Sequence, residues 1–272
     1  MPELPEVEFC FQRLSAWLNG RRIVSASADD GPPLREVSAD VFVESVRGQD
    51  VLRMRRHGKQ IFVDLSGGLT LWLHLGMTGK WVQVTEQEAR RWARVVLVLD
   101  EGPRLEFVDP RRFGRIKLCP TVDAEQELVL SGLGPDALSL CEDPMGFEQR
   151  FTGSRRAIKV ALLDQARLAG VGNIYAAEAL FDARIDPVTP AADLTSSDYQ
   201  RLAVALERAM RVSIERELGG EIKYLHEGKA KNPFLVYGRE GEACHRCEGR
   251  IERFEQSARS TFFCRTCQRP GA

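Results

Sequence analysis

Two groups of residues in this 272-residue chain have types and spacing suited to chemistry. The first is Pro2-Glu3. Once Met1 is clipped, as aminopeptidases do before small residues such as proline, the chain starts with a secondary amine and a carboxylate follows at once. An α-amino group has a reference pKa of about 8, so part of it is neutral near pH 7. A neutral amine attacks electrophilic carbon and can form a Schiff base. The adjacent carboxylate can give or take a proton. Pro2 and Pro5 would also suit the first turn of a helix, with no chemistry implied. The second group is in the tail, where Cys244-x-x-Cys247 is followed after sixteen residues by Cys264-x-x-Cys267. Two such pairs supply four thiolates to one tetrahedral zinc, which leaves no position open and makes the metal structural. The alternative, two disulfides, suits a secreted chain. His245 is surplus to the four, and Cys10, Cys119 and Cys141 read as ordinary reduced thiols.

Other stretches offer ligand-binding chemistry. Gln256-Ser257-Ala258-Arg259-Ser260-Thr261 lies between the cysteine pairs, and its small polar residues suit a hairpin tip where Arg259 forks onto a phosphate. In Gly170-Val171-Gly172-Asn173-Ile174-Tyr175 the glycines allow close backbone approach, and Asn173 can cap a helix starting at Ile174. The amides of that helix start favour an anion, although a plain helix connection reads the same way. His74-Leu75-Gly76-Met77-Thr78-Gly79 holds Met77 between glycines, a poor place for a core residue. Asp109-Pro110-Arg111-Arg112-Phe113-Gly114 is a turn offering two arginines and an aromatic ring. Met or Phe wedges joined by Arg unstack bases in DNA-bending proteins. Lys59 follows Gly58 and suits a phosphate contact or a solvated strand end.

These residues need elements to hold them. Leu4, Val7, Phe11, Leu14 and Leu18 form the apolar stripe of a helix ending near Asn19-Gly20, which would fix Pro2 in place. From 22 to 118 short β-rich runs follow: 22–28, 41–47, 51–55, 60–65, 70–75, 80–84, 95–99, 104–108 and 114–118. Many short strands separated by turn signals predict an antiparallel sandwich or barrel. Residues 119–146 carry scattered Pro and Gly and read as a linker. Helical patterns follow at 147–151, 157–165, 174–183 and 197–218, and the tail from 236 returns to strand and turn. The expected domains are 1–130, 131–235 and 236–272.

The 38 basic and 39 acidic residues leave a net charge of −1, which by itself predicts no polyanion partner. Local runs differ: Arg53, Arg55, Arg56 and Lys59 stand together, as do Arg111, Arg112, Arg115 and Lys117, and neither run contains an acid. Such runs form a nucleic-acid footprint or a solvated strand face. No apolar stretch approaches the roughly eighteen residues of a membrane span. No secretion-signal layout is seen, so a cytoplasmic protein is expected.

Taken in order, these motifs resemble the formamidopyrimidine-DNA glycosylase / endonuclease VIII family of base-excision repair. The resemblance rests on Pro2-Glu3-Leu4-Pro5-Glu6-Val7-Glu8, Gly58-Lys59, the Met77 and Arg111–Phe113 stretches, Gly170–Ala176, and the four-cysteine finger with Arg259-Ser260-Thr261-Phe262. It implies an α+β multidomain fold: an N-terminal antiparallel β-sandwich with flanking helices, a C-terminal helix-two-turns-helix module, and a β-hairpin zinc finger. It implies that Pro2 attacks C1′ of a damaged nucleotide, with Glu3 as proton donor, followed by β- and δ-elimination. Lys59, Asn173 and Arg259 would grip phosphates. Tyr175 would join the DNA-contacting set, and Lys159 would lie near the lesion. Met77, Arg111 and Phe113 would fill the vacated stack, with Arg111 or its neighbour Arg112 facing the orphan base. Glu6 and Glu178 would line or support the pocket. The implied partner is damaged double-stranded DNA, bound by a monomer carrying one zinc.

One stretch departs from the family's purine-lesion branch. Residues 219–233 are shorter and differ in composition from the loop that closes over a flipped oxidised purine. Three readings follow: a glycosylase/lyase for oxidised purines, the same chemistry on oxidised pyrimidines or another lesion, or a zinc-finger protein that binds damage without cutting. Pro2 and Glu3 together argue against the last, because binding alone needs neither.

Overall fold

The structure is a computed structural model that describes residues 2–84, 90–102, 104–130, 132–217 and 232–269. These form two compact units, one built from the chain up to Ser131, the other from Gly132–Arg216 together with the cysteine-rich tail.

The first unit begins with helix α1 (Leu4–Leu18), which Glu3 caps from an extended conformation. Glu3 and Glu6 form a capping box, and Pro5 falls in the first turn, where its missing N–H costs nothing. The predicted stripe is largely met: Leu4, Val7, Leu14 and Leu18 are buried, joined by Phe9 and Cys10, with Phe11 half-buried. The strands are β1 (Ile23–Ala28), β2 (Leu34–Arg35), β3 (Val51–His57), β4 (Gln60–Leu65), β5 (Leu69–His74), β6 (Lys80–Val84), β7 (Ala93–Leu99), β8 (Arg104–Val108) and β9 (Arg115–Pro120). They make a four-stranded sheet, β1-β7-β8-β6, and a five-stranded sheet, β2-β9-β5-β4-β3. Apart from the short parallel pair β2–β9, every pairing in the two sheets is antiparallel. Ile61, Val63, Leu71 and Leu73 from one sheet share a core with Val95, Leu97, Leu105 and Phe107 from the other. This is a sandwich. Helix α1 packs on β3, β4 and β6, so it touches the edge strand of each sheet and seals one open side. Each fully buried Leu or Val on it contributes roughly 1.5–3 kcal/mol.

Two sequence expectations need correction. Residues 41–47 are not a strand: helix α2 (Ala39–Val46) occupies them and packs on β1. Three valines suggest β-structure, but Ser38 accepts a hydrogen bond from the Val41 amide as N-cap, and Phe42 and Val46 bury one helical face. Residues 119–146 are not an irregular linker. They include helices α3 (Thr121–Leu130) and α4 (Ala137–Cys141) and the start of α5 (Pro144–Gln149). Asp136 and Asp143 cap the last two, and Pro144 takes the first helical position.

The second unit continues with α6 (Ile158–Leu162), α7 (Asn173–Asp182) and α8 (Ser196–Glu217) and ends in the hairpin β10 (Glu252–Gln256) and β11 (Arg259–Phe263). Phe147, Phe151 and Tyr199 pack together inside it, and the Tyr199 hydroxyl donates to the Ala191 carbonyl at 2.6 Å. Among the described residues, no helix is long and apolar enough to cross a membrane.

Candidate active site

Pro2 and Glu3 are buried, Glu3 to 2% exposure. The Glu3 amide donates to Glu6 Oε2 at 2.7 Å. That amide belongs to the planar peptide joining Pro2 to Glu3. Glu6 therefore anchors the first residues to the head of a helix that is itself packed into the sandwich. Arg56 on β3 pairs with Glu8 of α1 and donates to the Gly58 carbonyl at 3.0 Å, which fastens the two-residue turn Gly58-Lys59 to the same helix. Gly58 has φ +55, a conformation that suits glycine.

The basic runs are partly internal. Arg55 pairs with Asp64, Arg56 with Glu8, Lys117 with Glu36, and Arg112 with Asp29. Arg112 also donates to the backbone carbonyls of Asp30 and Pro32, so its guanidinium is bound away from its own turn. Arg111 instead lies over the Phe113 ring, 4.8 Å from its centroid, and both residues are exposed. The Met77 turn lies directly against this pair: a Cβ on Gly76 would come within 2.3 Å of the Phe113 carbonyl carbon. Buried Asp109 joins the two turns. Its Oδ1 accepts from Thr78 Oγ1 at 2.8 Å and from the Arg111 amide at 3.3 Å, and its Oδ2 accepts from the Gly114 amide at 2.7 Å.

His74, which sequence reasoning passed over inside its motif, accepts the Gly76 amide on Nδ1 at 3.0 Å and so shapes the Met77 turn. Burial foremost, then the cations of Lys59 and Arg115, push its pKa down to about 4. An unfolded His titrates near 6.5. Between those values the unfolded chain holds the proton and the folded chain does not. Stability should therefore fall as pH drops from about 6.5 to 4, by up to about 3 kcal/mol, with no His74 contribution above that window. Denaturant midpoints of the parent and His74→Asn across pH 4–8 check this. The same acid slope in both would refute it.

In the second unit, α7 holds four of the relevant side chains. Its N-cap is Gly172, and Asn173 is the first helical residue, so the expectation that Asn173 caps the helix is corrected. The Asn173 side chain instead donates to the Ser260 carbonyl at 2.8 Å and accepts from Lys159 Nζ at 2.7 Å. Lys159 is 1% exposed and reaches the same carbonyl at 3.3 Å. The structure thus places Lys159 beneath Asn173, as an internal support and not as a surface group. Tyr175 is also interior, with its hydroxyl donating to Ser213 Oγ at 2.6 Å, so its ring is held inside the unit. Glu178 is buried and accepts the amides of Leu235 (2.7 Å), Val236 and Tyr237 (both 2.9 Å). Burial raises its pKa against the opposing pull of those three amides and Arg239. It anchors the backbone leading into the finger. Asp182, at the far end of α7, pairs with Arg208 and Arg246. Residues 219–231 of the departing loop lie outside the described residues; beyond them, Asn232 bonds the Tyr237 carbonyl at 2.7 Å.

The four thiols of Cys244, Cys247, Cys264 and Cys267 lie within 4.8 Å of one another. The Cys244–Cys267 and Cys247–Cys264 sulfurs are 3.8 and 3.5 Å apart. A tetrahedron with Zn–S bonds of about 2.3 Å has edges of roughly 3.8 Å, so the set fits one zinc. The Arg246 and Gly249 amides point at Cys244 and Cys247 Sγ, at 3.4 and 3.3 Å, and would stabilise thiolates. The finger grips α7 at both ends. Arg246 donates to the Phe181 and Asp182 carbonyls, and Ser260 holds Asn173. Arg259 is exposed beside the hairpin turn, where Ser257 and Ala258 both have positive φ, as a two-residue turn of the primed kind requires.

Residues 1–116 match the formamidopyrimidine-DNA glycosylase N-terminal domain, 133–224 match the H2TH domain of the same glycosylase, and 241–270 match the zinc finger found in FPG and IleRS. The chain is 37% identical over 289 residues to the formamidopyrimidine-DNA glycosylase of Ruegeria pomeroyi, covering 99% of this chain and 100% of that one. It is 38% identical over 275 residues to that of Chloroflexus aurantiacus, covering 98% of each. Among solved structures it is similar to Lactococcus lactis Fpg bound to abasic-site DNA, with TM-score 0.85, 27% identity, and 98% and 100% of the two chains covered. It is also similar to the same enzyme bound to DNA containing Fapy-dG, with TM-score 0.85, 28% identity and the same coverage.

Proposed function

The chain belongs to the formamidopyrimidine-DNA glycosylase family of base-excision repair, and from that premise we propose a bifunctional glycosylase and abasic-site lyase that removes oxidised purines, 8-oxoguanine and formamidopyrimidines, from duplex DNA. One observation carries the reading: Pro2, a secondary amine once Met1 is removed, and the buried carboxylate of Glu3 occupy adjacent residues at a helix head, with Glu6 fixing the peptide between them.

The Pro2 nitrogen attacks C1′, the glycosidic bond breaks, and the base leaves with the bonding pair and takes up the proton that the nitrogen sheds. Base departure is coupled to ring opening, in which Glu3, as the acid, protonates the sugar ring oxygen as the C1′–O4′ bond opens and the iminium forms. Loss of the C2′ proton expels the 3′ phosphate, and a second elimination expels the 5′ phosphate.

Lys59, Asn173 and Arg259 bind phosphates in this reading. Met77, Arg111 and Phe113 fill the space left by the extruded nucleotide. Arg111 faces the orphan base, because Arg112 is held by Asp29. Lys159 acts through Asn173, and Glu178 through the backbone at 235–237. The zinc supplies no reaction step. Its four thiolates fix the hairpin that carries Arg259. Catalysis is assigned to 1–130, with 131–235 and 236–272 as the DNA-binding parts of a cytoplasmic monomer.

The test is borohydride trapping on duplexes bearing 8-oxoguanine, an oxidised pyrimidine or an abasic site. A covalent adduct on the 8-oxoguanine duplex is expected. Stronger trapping on the pyrimidine lesion would transfer the assignment to that substrate, a reading motivated by the composition of 219–233. No adduct on any of the three, from protein with Met1 shown to be absent, would overturn the amine mechanism.

A further inference from the structure

We infer that Asp109 and Thr78 are positioning residues that make Met77, Arg111 and Phe113 act as one device. The inference rests on the reading that these three side chains fill the vacated stack. It concerns how they are held, and it assigns a role to two residues that touch no DNA in that reading.

Asp109 has no exposed surface, and its polar atoms are engaged on every side. The Thr78 hydroxyl donates to Oδ1 from the Met77 turn. The Arg111 and Gly114 amides donate to Oδ1 and Oδ2 from the other turn, on either side of Arg112 and Phe113. Its own amide donates to the Trp92 carbonyl at 3.1 Å, and its carbonyl accepts Arg94 Nε at 3.0 Å. A buried carboxylate is stable only when donors surround it, so this group fixes the mutual placement of its donors.

Steric evidence points the same way. Gly76 at φ +67 has the Phe113 carbonyl carbon where its Cβ would be. Gly114 has Phe107 and Asp109 Oδ2 within 3.0 Å of its Cβ position. The two turns are in backbone contact, with no slack between them. Arg112 completes the arrangement: at φ +56 it sends its guanidinium to Asp29 and leaves Arg111 and Phe113 stacked outward together.

A wedge made of two turns works only if both arrive together. If Met77 enters the stack without Phe113, the extruded base can return. Thr78 is the hydrogen-bonding side-chain link from the Met77 turn to this carboxylate, so Thr78→Val cuts that link and leaves the second turn's own bonds intact. Thr78→Ser restores the hydroxyl.

The test compares single-turnover base excision with strand cleavage at an abasic site, where there is no stacked base to extrude. In Thr78→Val the ratio of the two rates should fall by at least about tenfold, in keeping with the cost of small misplacements of catalytic parts. Thr78→Ser should regain most of the loss. In a Met77→Ala background, Thr78→Val should change the ratio by less than about twofold, because the link then has nothing to position. Equal loss on both substrates, or the same loss in both backgrounds, would overturn the proposal.

A binding readout separates this from the enzymatic reading. With 2-aminopurine placed opposite a tetrahydrofuran site, insertion of the wedge raises fluorescence without any chemistry. A rise in the parent that is reduced in Thr78→Val and restored in Thr78→Ser upholds the coupling even if no lesion is cut. Equal rises in parent and Thr78→Val reject it even if the enzyme is fully active.

Discussion

Glu3→Gln is expected to bind a lesion duplex as the parent does and to leave the damaged base in place. Glutamine keeps the size of the side chain and an oxygen that can serve the helix cap, so α1 should start as before. It cannot hold the transferable proton. Positioned acid–base groups contribute about 10²–10⁴-fold, and single-turnover excision should fall by at least that much. Pro2→Gly separates nucleophile from acid. It keeps an amine but loses the ring that restricts the terminus, so turnover and the trapped adduct should both drop sharply with duplex affinity nearly unchanged. Fluorescence anisotropy on uncleaved duplex, beside gel-resolved cleavage, distinguishes these outcomes. Both variants cutting 8-oxoguanine DNA at the parent rate would remove Pro2 and Glu3 from the mechanism.

Stripping the metal should have the other large effect, and through affinity, not chemistry. The hairpin β10–β11 is two-stranded, and an isolated two-stranded hairpin is marginal in water. Its supporting cluster is small, with Val236, Ile251, Cys244 and Cys264 packed on Ala177 and Phe181. Structural zinc supplies roughly 10–16 kcal/mol of binding free energy in small fingers, so the segment depends on it. Chelation should expose 241–269 to protease and disorder the Arg259 turn. It should also loosen Asn173, because the Ser260 carbonyl that holds its amide belongs to the hairpin. Loss of DNA binding is expected, with recovery when zinc is returned. Unchanged affinity in metal-free protein, with zinc loss verified, would refute this role.

The contrast between what could and could not be read from the sequence follows the range of the interactions. The α1 stripe, the cysteine pairs and the glycine-flanked turns are local, and each announces itself within a few residues. The region 119–146 misleads because short helices capped by Asp136 and Asp143 carry the same Pro and Gly content as a linker. The partition between Arg111 and Arg112 depends on Asp29, far back in the chain. The resemblance puts Lys159 near the lesion, but only the fold shows its bonds to Asn173 and Ser260. The three-amide grip of Glu178 likewise joins residues almost sixty positions apart, for which a single sequence offers no period or spacing.

Chain termini are ordinarily the first part of a domain to fray. Here the terminal helix touches the edge strands of both sheets and contributes Val7, Leu14 and Leu18 to the core between them. Its release would open the sandwich. The head of α1 therefore has no cheap local route to disorder, and gentle heating should not displace Pro2 and Glu3 ahead of denaturation of this unit. The N-terminal end of this helix should unfold with the unit and not before it.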